Sequence, residues 1–166
     1  HAEMWDMTLP SHLARFGRFV ESRLAPPLYR RTSIVTLSES SRQELVEEMG
    51  LSPERITVVP PGIEPRFSPG GERSETPLVV AVGRLVPVKR YDVLVDVLAR
   101  LRARHPRMEA VIVGEGYERE HLEAQRARLG AEEWLHLPGR IDDADLVALY
   151  RRAWVVVSAS LAEGWG

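Results

Sequence analysis

Short apolar runs alternate with amphipathic segments along most of this chain, which is typical of an α/β fold. Continuous apolar runs rich in β-branched residues predict strands buried on both faces of a parallel sheet. Leu78–Val82 and Ala110–Val113 are predicted as buried strands of this kind, and Trp134–Leu137 and Trp154–Ser158 are predicted as two further strands. Helical spacing between them predicts helices over about 92–104, 117–129 and 142–152. Such alternation predicts βαβ units with right-handed crossovers.

An amphipathic helix is predicted near the start of the chain. Apolar residues recur at helical spacing from Ser11 until Pro26 and Pro27, where we expect the helix to stop. Arginines lie between the apolar positions, so the helix has the composition of a membrane-surface helix as well as that of a packed one. Because amphipathicity is normal for packed helices, we expect its apolar face to cover its own domain.

A βα unit and a further strand follow, over Ser33–Leu37 and 56–59. Between these strands, Ser41 and Glu44 form a capping-box pattern before a helix that ends near Gly50. The stretch SPGGERSETP then has the composition of a linker. We therefore divide the chain into a first domain at 1–66, a linker at 67–77 and a second domain at 78–166.

Composition and charge exclude several classes of protein. The chain has 166 residues, a net charge of -2 and no cysteine. The charge gives no general attraction to nucleic acid, and the missing thiols exclude disulfides and cysteine-ligated metals. No apolar run approaches the ~20 residues of a membrane helix, so we expect a soluble protein. The chain starts at His1 and stops where an α/β fold would continue, so we expect it to be part of a longer protein.

Two cations follow the first buried strand of the second domain. Gly83 ends that strand, and Arg84 and Lys89 lie in the loop that leaves it. Ligands of open parallel sheets lie outside the carboxyl ends of the strands. Isolated surface cations are usually only solvated, but an arginine fork and a lysine at this position suit a diphosphate.

The glycines after the second strand do not form a dinucleotide site. The fingerprint needs a third glycine three residues after Gly116, and Arg119 stands there. We therefore exclude NAD and FAD. Gly114 and Gly116 instead allow a tight turn from strand to helix close to a ligand.

No metal site is predicted. Asp143 and Asp145 match a short acidic pattern that holds a divalent metal in sugar transferases of another fold, but here Asp142 or Asp143 would cap a helix. The five histidines have no close ligand spacing. At the end of the chain, Glu163 follows the fourth strand among glycines that permit close approach to a ligand.

Four motifs together resemble glycosyltransferase family 4, whose members are retaining nucleotide-sugar transferases of GT-B architecture. They are VAVGRLVPVKRYDVLVDVLARL, VIVGEG, LPGRIDDADLVALYRRAWVVVSAS and AEGWG. The resemblance implies that residues 1–66 are the last part of the acceptor domain. It also implies that 78–166 is the first part of a Rossmann-like donor domain.

The resemblance implies roles for matching residues only. Arg84 and Lys89 would neutralise the donor diphosphate, and Glu163 would contact the donor sugar, with its partner glutamate beyond the chain. Arg140 and Ile141 would meet the nucleotide base, and His1 is a weak match to an acceptor-domain histidine. The remaining donor-binding residues would be Gly83, Gly114, Gly164, Trp165 and Gly166. The family often has an acidic residue and a glycine around the lysine, where this chain has Val88 and Arg90.

The implied reaction moves a hexose from a nucleotide-diphosphate sugar to a sugar, polysaccharide or lipid-linked acceptor, with retention and without a metal or other cofactor. We expect a cytoplasmic protein, with peripheral contact of the acceptor domain at the inner face of the membrane as an open alternative. We expect no activity from these 166 residues alone. A non-catalytic nucleotide- or phosphate-binding domain and a GT-B-shaped nucleotide-sugar epimerase remain alternative functions.

Overall fold

The structure, a computed structural model, describes residues 11–29, 31–161 and 163. Two compact units account for these residues. The first contains the described residues up to Ile63 together with Glu163, and the second begins at Glu64.

The first unit begins with a helix that continues past the predicted stop. Helix α1 spans Ser11–Phe19, a π-helical turn follows at Val20–Leu24, and helix α2 spans Ala25–Tyr29. In the wider turn the Ala25 N–H donates to the Val20 carbonyl, five residues back. This shift of the hydrogen-bond ladder lets Pro26 and Pro27 begin a new segment, where a missing N–H costs least. The prediction that the prolines end the helix is wrong.

The apolar face of this helix is also less covered than expected. Leu13, Phe16 and Leu24 are 47%, 65% and 51% exposed, respectively. The expectation that this face packs on its own domain is therefore not met within the described part of the chain.

The rest of the first unit is a parallel βα unit. Strands β1 (Ile34–Thr36) and β2 (Ile56–Val58) pair in parallel, and helix α3 (Glu39–Glu47) connects them, with a 3-10 turn at Pro53–Arg55. The helix is capped by Ser38, whose hydroxyl accepts the Ser41 N–H at 3.1 Å. The capping residue is therefore Ser38 and not Ser41. Gly50 has a φ of 61°, which agrees with the predicted stop after this helix.

The second unit is built on a four-stranded parallel sheet with the order β5-β4-β3-β6. Its strands are β3 (Leu78–Val82), β4 (Glu109–Val113), β5 (Leu135–Gly139) and β6 (Val155–Val156). Its helices are α4 (Tyr91–Arg104), α5 (Arg119–Arg128) and α6 (Asp143–Arg152). All four strands therefore present their carboxyl ends at one edge. The parallel sheet predicted from the sequence is confirmed.

Sequence spacing predicts that the buried side of α4 carries Val93, Leu94, Val97, Leu98 and Leu101, and this prediction is only partly correct. Leu94, Val95 and Leu98 are at most 5% exposed and enter the core, whereas Val93 and Val97 are 40% and 44% exposed. Val80 and Ile112 of the central strands are also buried. The core thus lies between α4, the two central strands and their neighbours, so the backbone at the carboxyl edge is held by a packed support.

Residues 64–77, which we call the strap, pack along α6. The Trp154 indole donates to the Ser74 carbonyl at 2.7 Å, and the Arg151 guanidinium donates to the Ser68 carbonyl at 3.3 Å. The rings of Phe67 and Tyr150 meet edge to face with centroids 6.2 Å apart. Much of the segment predicted as a linker is therefore attached to the second unit.

Candidate functional site

Backbone hydrogen bonds join the loops after β3 and β4 at the carboxyl edge of the sheet. Gly83, after β3, donates to the Val113 carbonyl at 2.9 Å, and Leu85 donates to the Glu115 carbonyl at 2.9 Å. The Glu118 N–H returns a bond to the Leu85 carbonyl at 3.1 Å. The loops after β3 and β4 therefore form one surface.

Glycine is required where these two loops cross. A Cβ on Gly114 would overlap the carbonyl group of Gly83, and a Cβ on Gly116 would overlap the carbonyl group of Leu85. The Gly-x-Gly sequence thus allows the backbones of the two loops to approach closely, which agrees with the tight turn expected from these glycines.

The two predicted diphosphate cations lie in the loop after β3. Arg84 is exposed, and Lys89 is half-buried at the end of a 3-10 turn, Pro87–Lys89. The Lys89 side chain folds back over the strand end, because its Cε lies 3.6 Å from the position of a Cβ built on Gly83. Both side chains therefore start from the same end of β3. Their part in binding stays a prediction.

The backbone conformation of Arg90 shows how this loop accommodates an arginine where the family often has glycine. Among the described residues it is the only non-glycine residue with positive φ, and its angles of 51° and 39° are those of the left-handed region. The family often has glycine at this position. The arginine adopts the conformation that a glycine would allow, and its Nε lies 3.2 Å from the Asp92 carboxylate.

The loop after β6 reaches the same edge through Leu161, whose N–H donates to the Val88 carbonyl at 2.9 Å. Glu163 is exposed and groups with the first unit, so its role in the site stays a prediction. The other candidates near the ends of the chain lie outside the described residues: His1, Gly164, Trp165 and Gly166.

The end of β5 is tied to the loop after β4. The Gly114 N–H donates to the Gly139 carbonyl at 2.9 Å. Gly139 has a φ of 83°, and a Cβ there would collide with the Glu115 carboxylate. Arg140, exposed, and Ile141, half-buried, follow directly. The main chain predicted to meet the nucleotide base therefore leaves the sheet beside the Gly-x-Gly loop.

Arg119 is a residue that sequence reasoning considered only as a missing glycine. Its Nη2 donates to the Leu137 carbonyl at 2.9 Å, and its Nη1 lies 3.3 Å from Glu115 Oε1. Its Nε also pairs with Glu123 at 2.9 Å. Only the pairing with Glu123, four residues later on the same helix, could have been found from the sequence.

The acidic residues before α6 have structural partners. Asp142 caps the helix by accepting the Asp145 N–H at 2.8 Å, as the sequence predicts. Asp143 pairs with Arg66 at 2.9 Å. Hydrogen bonding to Glu64, with the nearby Asp143 charge, raises the pKa of Arg66. Across the described ranges, no three histidine or acidic side chains come together as metal ligands.

Comparison with known proteins identifies the family. The sequence model of the family described as "Glycosyl transferases group 1" matches residues 63–166. The chain belongs to this family. The match covers the sheet of the second unit and all the loops at its carboxyl edge.

Two curated relatives are named as D-inositol 3-phosphate glycosyltransferases. This member of the family is 31% identical over 152 residues to one from Catenulispora acidiphila, covering 80% of this chain and 36% of the relative. It is 34% identical over 152 residues to one from Acidothermus cellulolyticus, covering 80% of this chain and 34% of the relative. The chain thus spans about a third of the length of the curated relatives it matches.

Solved structures share the fold. An Anabaena protein, HepE, in complex with UDP-glucose superposes with a TM-score of 0.74 at 22% identity, covering 96% of this chain and 46% of that chain. A pneumococcal O-GlcNAc transferase in complex with UDP and GlcNAc gives 0.74 at 19% identity, covering 87% of this chain and 29% of that chain. The GT-B glycosyltransferase fold expected from the sequence is thereby confirmed. Within the described ranges, no helix combines the length and apolar character needed to cross a bilayer.

Proposed function

We propose that the full-length protein transfers a hexose from a nucleotide-diphosphate sugar to an acceptor with retention, and that this chain supplies much of the donor site. The observation that carries the proposal is the loop after β3, where Arg84 and Lys89 start from one strand end. That loop is bonded to the loops after β4 and β6. Family membership supports the reaction class, and the UDP and UDP-glucose complexes of fold relatives support the donor class.

The chemistry follows from where charge develops. Breaking the bond between the sugar and the diphosphate leaves negative charge on the leaving group. Cations that are already in place stabilise that charge in the transition state more than in the ground state. Arg84 and Lys89 would supply this stabilisation without a metal. Glu163 would contact the donor sugar, and Gly83, Gly114, Arg140 and Ile141 would border the nucleotide.

The proposed acceptor is a sugar, polysaccharide or lipid-linked molecule, and the proposed location is the cytoplasm. A human relative, 28% identical over 134 residues, is named as a phosphatidylinositol N-acetylglucosaminyltransferase subunit. Phe16 and Phe19, 65% and 53% exposed, lie near the exposed Arg15 on α1. This combination supports peripheral contact of the first unit with the inner face of the membrane.

The proposal is tested in the full-length protein. A thermal-shift screen against UDP-, GDP- and ADP-sugars identifies the donor, because a ligand that binds the native state raises the unfolding temperature. With that donor, Arg84→Ala and Lys89→Ala are each expected to lower kcat about a hundredfold, the effect of removing one transition-state donor. The control is Arg128→Ala, an exposed change in the last turn of α5, away from the carboxyl edge.

Near-unchanged kcat in both variants would contradict the proposed role of the two cations. Stabilisation by no nucleotide sugar in the screen would contradict the proposed function itself. We also expect no turnover from the 166 residues alone, and transfer by that purified piece would show that the expectation is wrong.

A further inference from the structure

Arg119 connects strand β5 to the loop after β4 through one guanidinium group. Its Nη2 binds the Leu137 carbonyl, two residues before the end of β5, while its Nη1 faces the carboxylate of Glu115 in the loop after β4. The Arg119 side chain is 33% exposed and that of Glu115 is 57% exposed, so the bond to the Leu137 carbonyl is partly buried while the contact with Glu115 faces solvent. A planar guanidinium fork can hold both acceptors at once in a fixed geometry.

The connection ends where a ligand of the sheet would lie. The Glu115 carboxylate lies against Gly139, as the collision with a Cβ at that position requires. Gly139 also accepts the Gly114 N–H. The main chain that continues into Arg140 and Ile141 is therefore held from two sides. Ligands of parallel sheets bind outside these strand ends, so this main chain lies in the ligand's path.

We propose that Arg119 is a positioning residue for the donor nucleotide, because it fixes the end of β5 against the loop after β4. This inference rests on the proposed function, since it assigns Arg119 to the same donor site. Arg119 does not contact the donor in this account. It keeps the β5 exit in its binding conformation before the nucleotide arrives, and preorganisation of this kind reduces the ordering cost of binding.

The same helix offers a matched control. Arg126 also extends from α5 to a carbonyl of β5, because its Nη1 donates to Leu135 at 3.3 Å. Leu135 begins β5, at the end of the strand away from the carboxyl edge. Substituting either arginine removes an arginine–carbonyl bond between α5 and β5, but only Arg119 acts beside the loops after β4 and β5.

The experiment measures dissociation constants of UDP, GDP and ADP by calorimetry, and donor kinetics, in the full-length protein. For whichever nucleotide binds the wild type, Arg119→Ala is expected to raise Kd and the donor KM about three- to tenfold. It should leave kcat at saturating donor within about twofold, because the diphosphate cations are intact. Arg126→Ala is expected to lower the unfolding temperature but to leave Kd within about twofold.

An unchanged Kd in Arg119→Ala would overturn the inference while leaving the proposed function intact. The same would follow if Arg126→Ala raised Kd as much as Arg119→Ala does. Binding of none of the three nucleotides by the wild type would overturn both. If Arg119→Ala does not fold, Arg119→Lys decides the question. The single ammonium group of lysine cannot bind both acceptors in the fixed geometry of a guanidinium group, so we expect an intermediate rise in Kd. An unchanged Kd would count against the inference.

Discussion

Arg90 allows a direct test of whether the loop after β3 carries backbone strain. This residue lies between Lys89 and the first residue of α4, with φ of 51° and ψ of 39°. In the left-handed region the Cβ of an ordinary residue crowds the following carbonyl, whereas glycine has no Cβ. We therefore expect Arg90→Gly to be more stable than Arg90→Ala, the reverse of the order inside a helix.

The magnitude follows from comparing these two variants with each other. Both lose the contact between Arg90 and Asp92, 3.2 Å long in the native protein, so this loss cancels. Only alanine keeps the left-handed penalty, roughly 1–2 kcal/mol. Glycine has the larger loss of backbone entropy on folding, roughly 0.5–1 kcal/mol. The difference should favour glycine by about 1 kcal/mol in the free energy of unfolding.

The assay is urea denaturation, with the m-value checked for constancy so that a change in midpoint reports stability. Arg100 provides the control, since it is an exposed arginine inside the same helix. At that position the alanine variant should be more stable than the glycine variant by about 1 kcal/mol in the free energy of unfolding. The order of stability of the two variants should thus invert between positions 90 and 100. The same order at both positions would refute the reasoning.

Two further predictions concern the crossing of the loops and the contacts of the strap. Gly114→Ala would place a Cβ against the Gly83 carbonyl group and should cost at least about 2 kcal/mol. Gly62→Ala, with no atom within 4 Å of the new Cβ, should have little effect in the same denaturation assay. Burial raises the pKa of Tyr150 above its ordinary value of 10.0. The neutral phenol therefore contributes stability that is fully present below about pH 10 and is lost as the pH rises through the folded-state value. Tyr150→Phe should consequently lose less stability than the wild type in unfolding midpoints measured at increasing alkaline pH, and an equal loss would argue against the effect.

The elements that could be predicted from the sequence are those with a local physical cause. The run Leu78–Val82 forms a strand because a continuous β-branched segment suits a sheet covered on both faces. Gly50 and Gly130, with φ of 61° and 59°, end their helices because glycine accepts left-handed angles. Asp142 caps α6 because a short side chain can reach the free amides of the first turn. Each cause acts within a few residues.

Features that depend on several energies at once could not be predicted. Pro26 and Pro27 were expected to stop a helix, but a preceding π-helical turn shifts the ladder and the helix continues. Val93 and Val97 satisfy the helical apolar spacing, yet they stay 40% and 44% exposed while Val95 is buried. Apolar spacing alone does not distinguish two adjacent faces of one helix.

The candidate site also contains some features that the sequence predicts and others that it does not. The position of Arg84 and Lys89 follows from strand ends, because every parallel strand ends at one edge. The contact of Arg119 with Leu137 joins residues 18 positions apart and depends on the packing of α5 against β5. No spacing rule connects those positions, so the sequence predicts the two cations in the loop after β3 but not the bond from Arg119 to β5.

The strap shows why composition alone is a weak guide to a flexible linker. Its glycines, serines and charges are typical of a solvated segment, yet its carbonyls at Ser68 and Ser74 accept bonds from Arg151 and Trp154. Those bonds join residues 83 and 80 positions apart in the chain. A segment tied at these points can bend only by breaking its contacts with α6 and with Trp154. The polar composition here belongs to an exposed backbone whose carbonyls accept hydrogen bonds from the long side chains of Arg151 and Trp154. The flexibility of such a segment therefore has to be inferred from its contacts and not from its residue types.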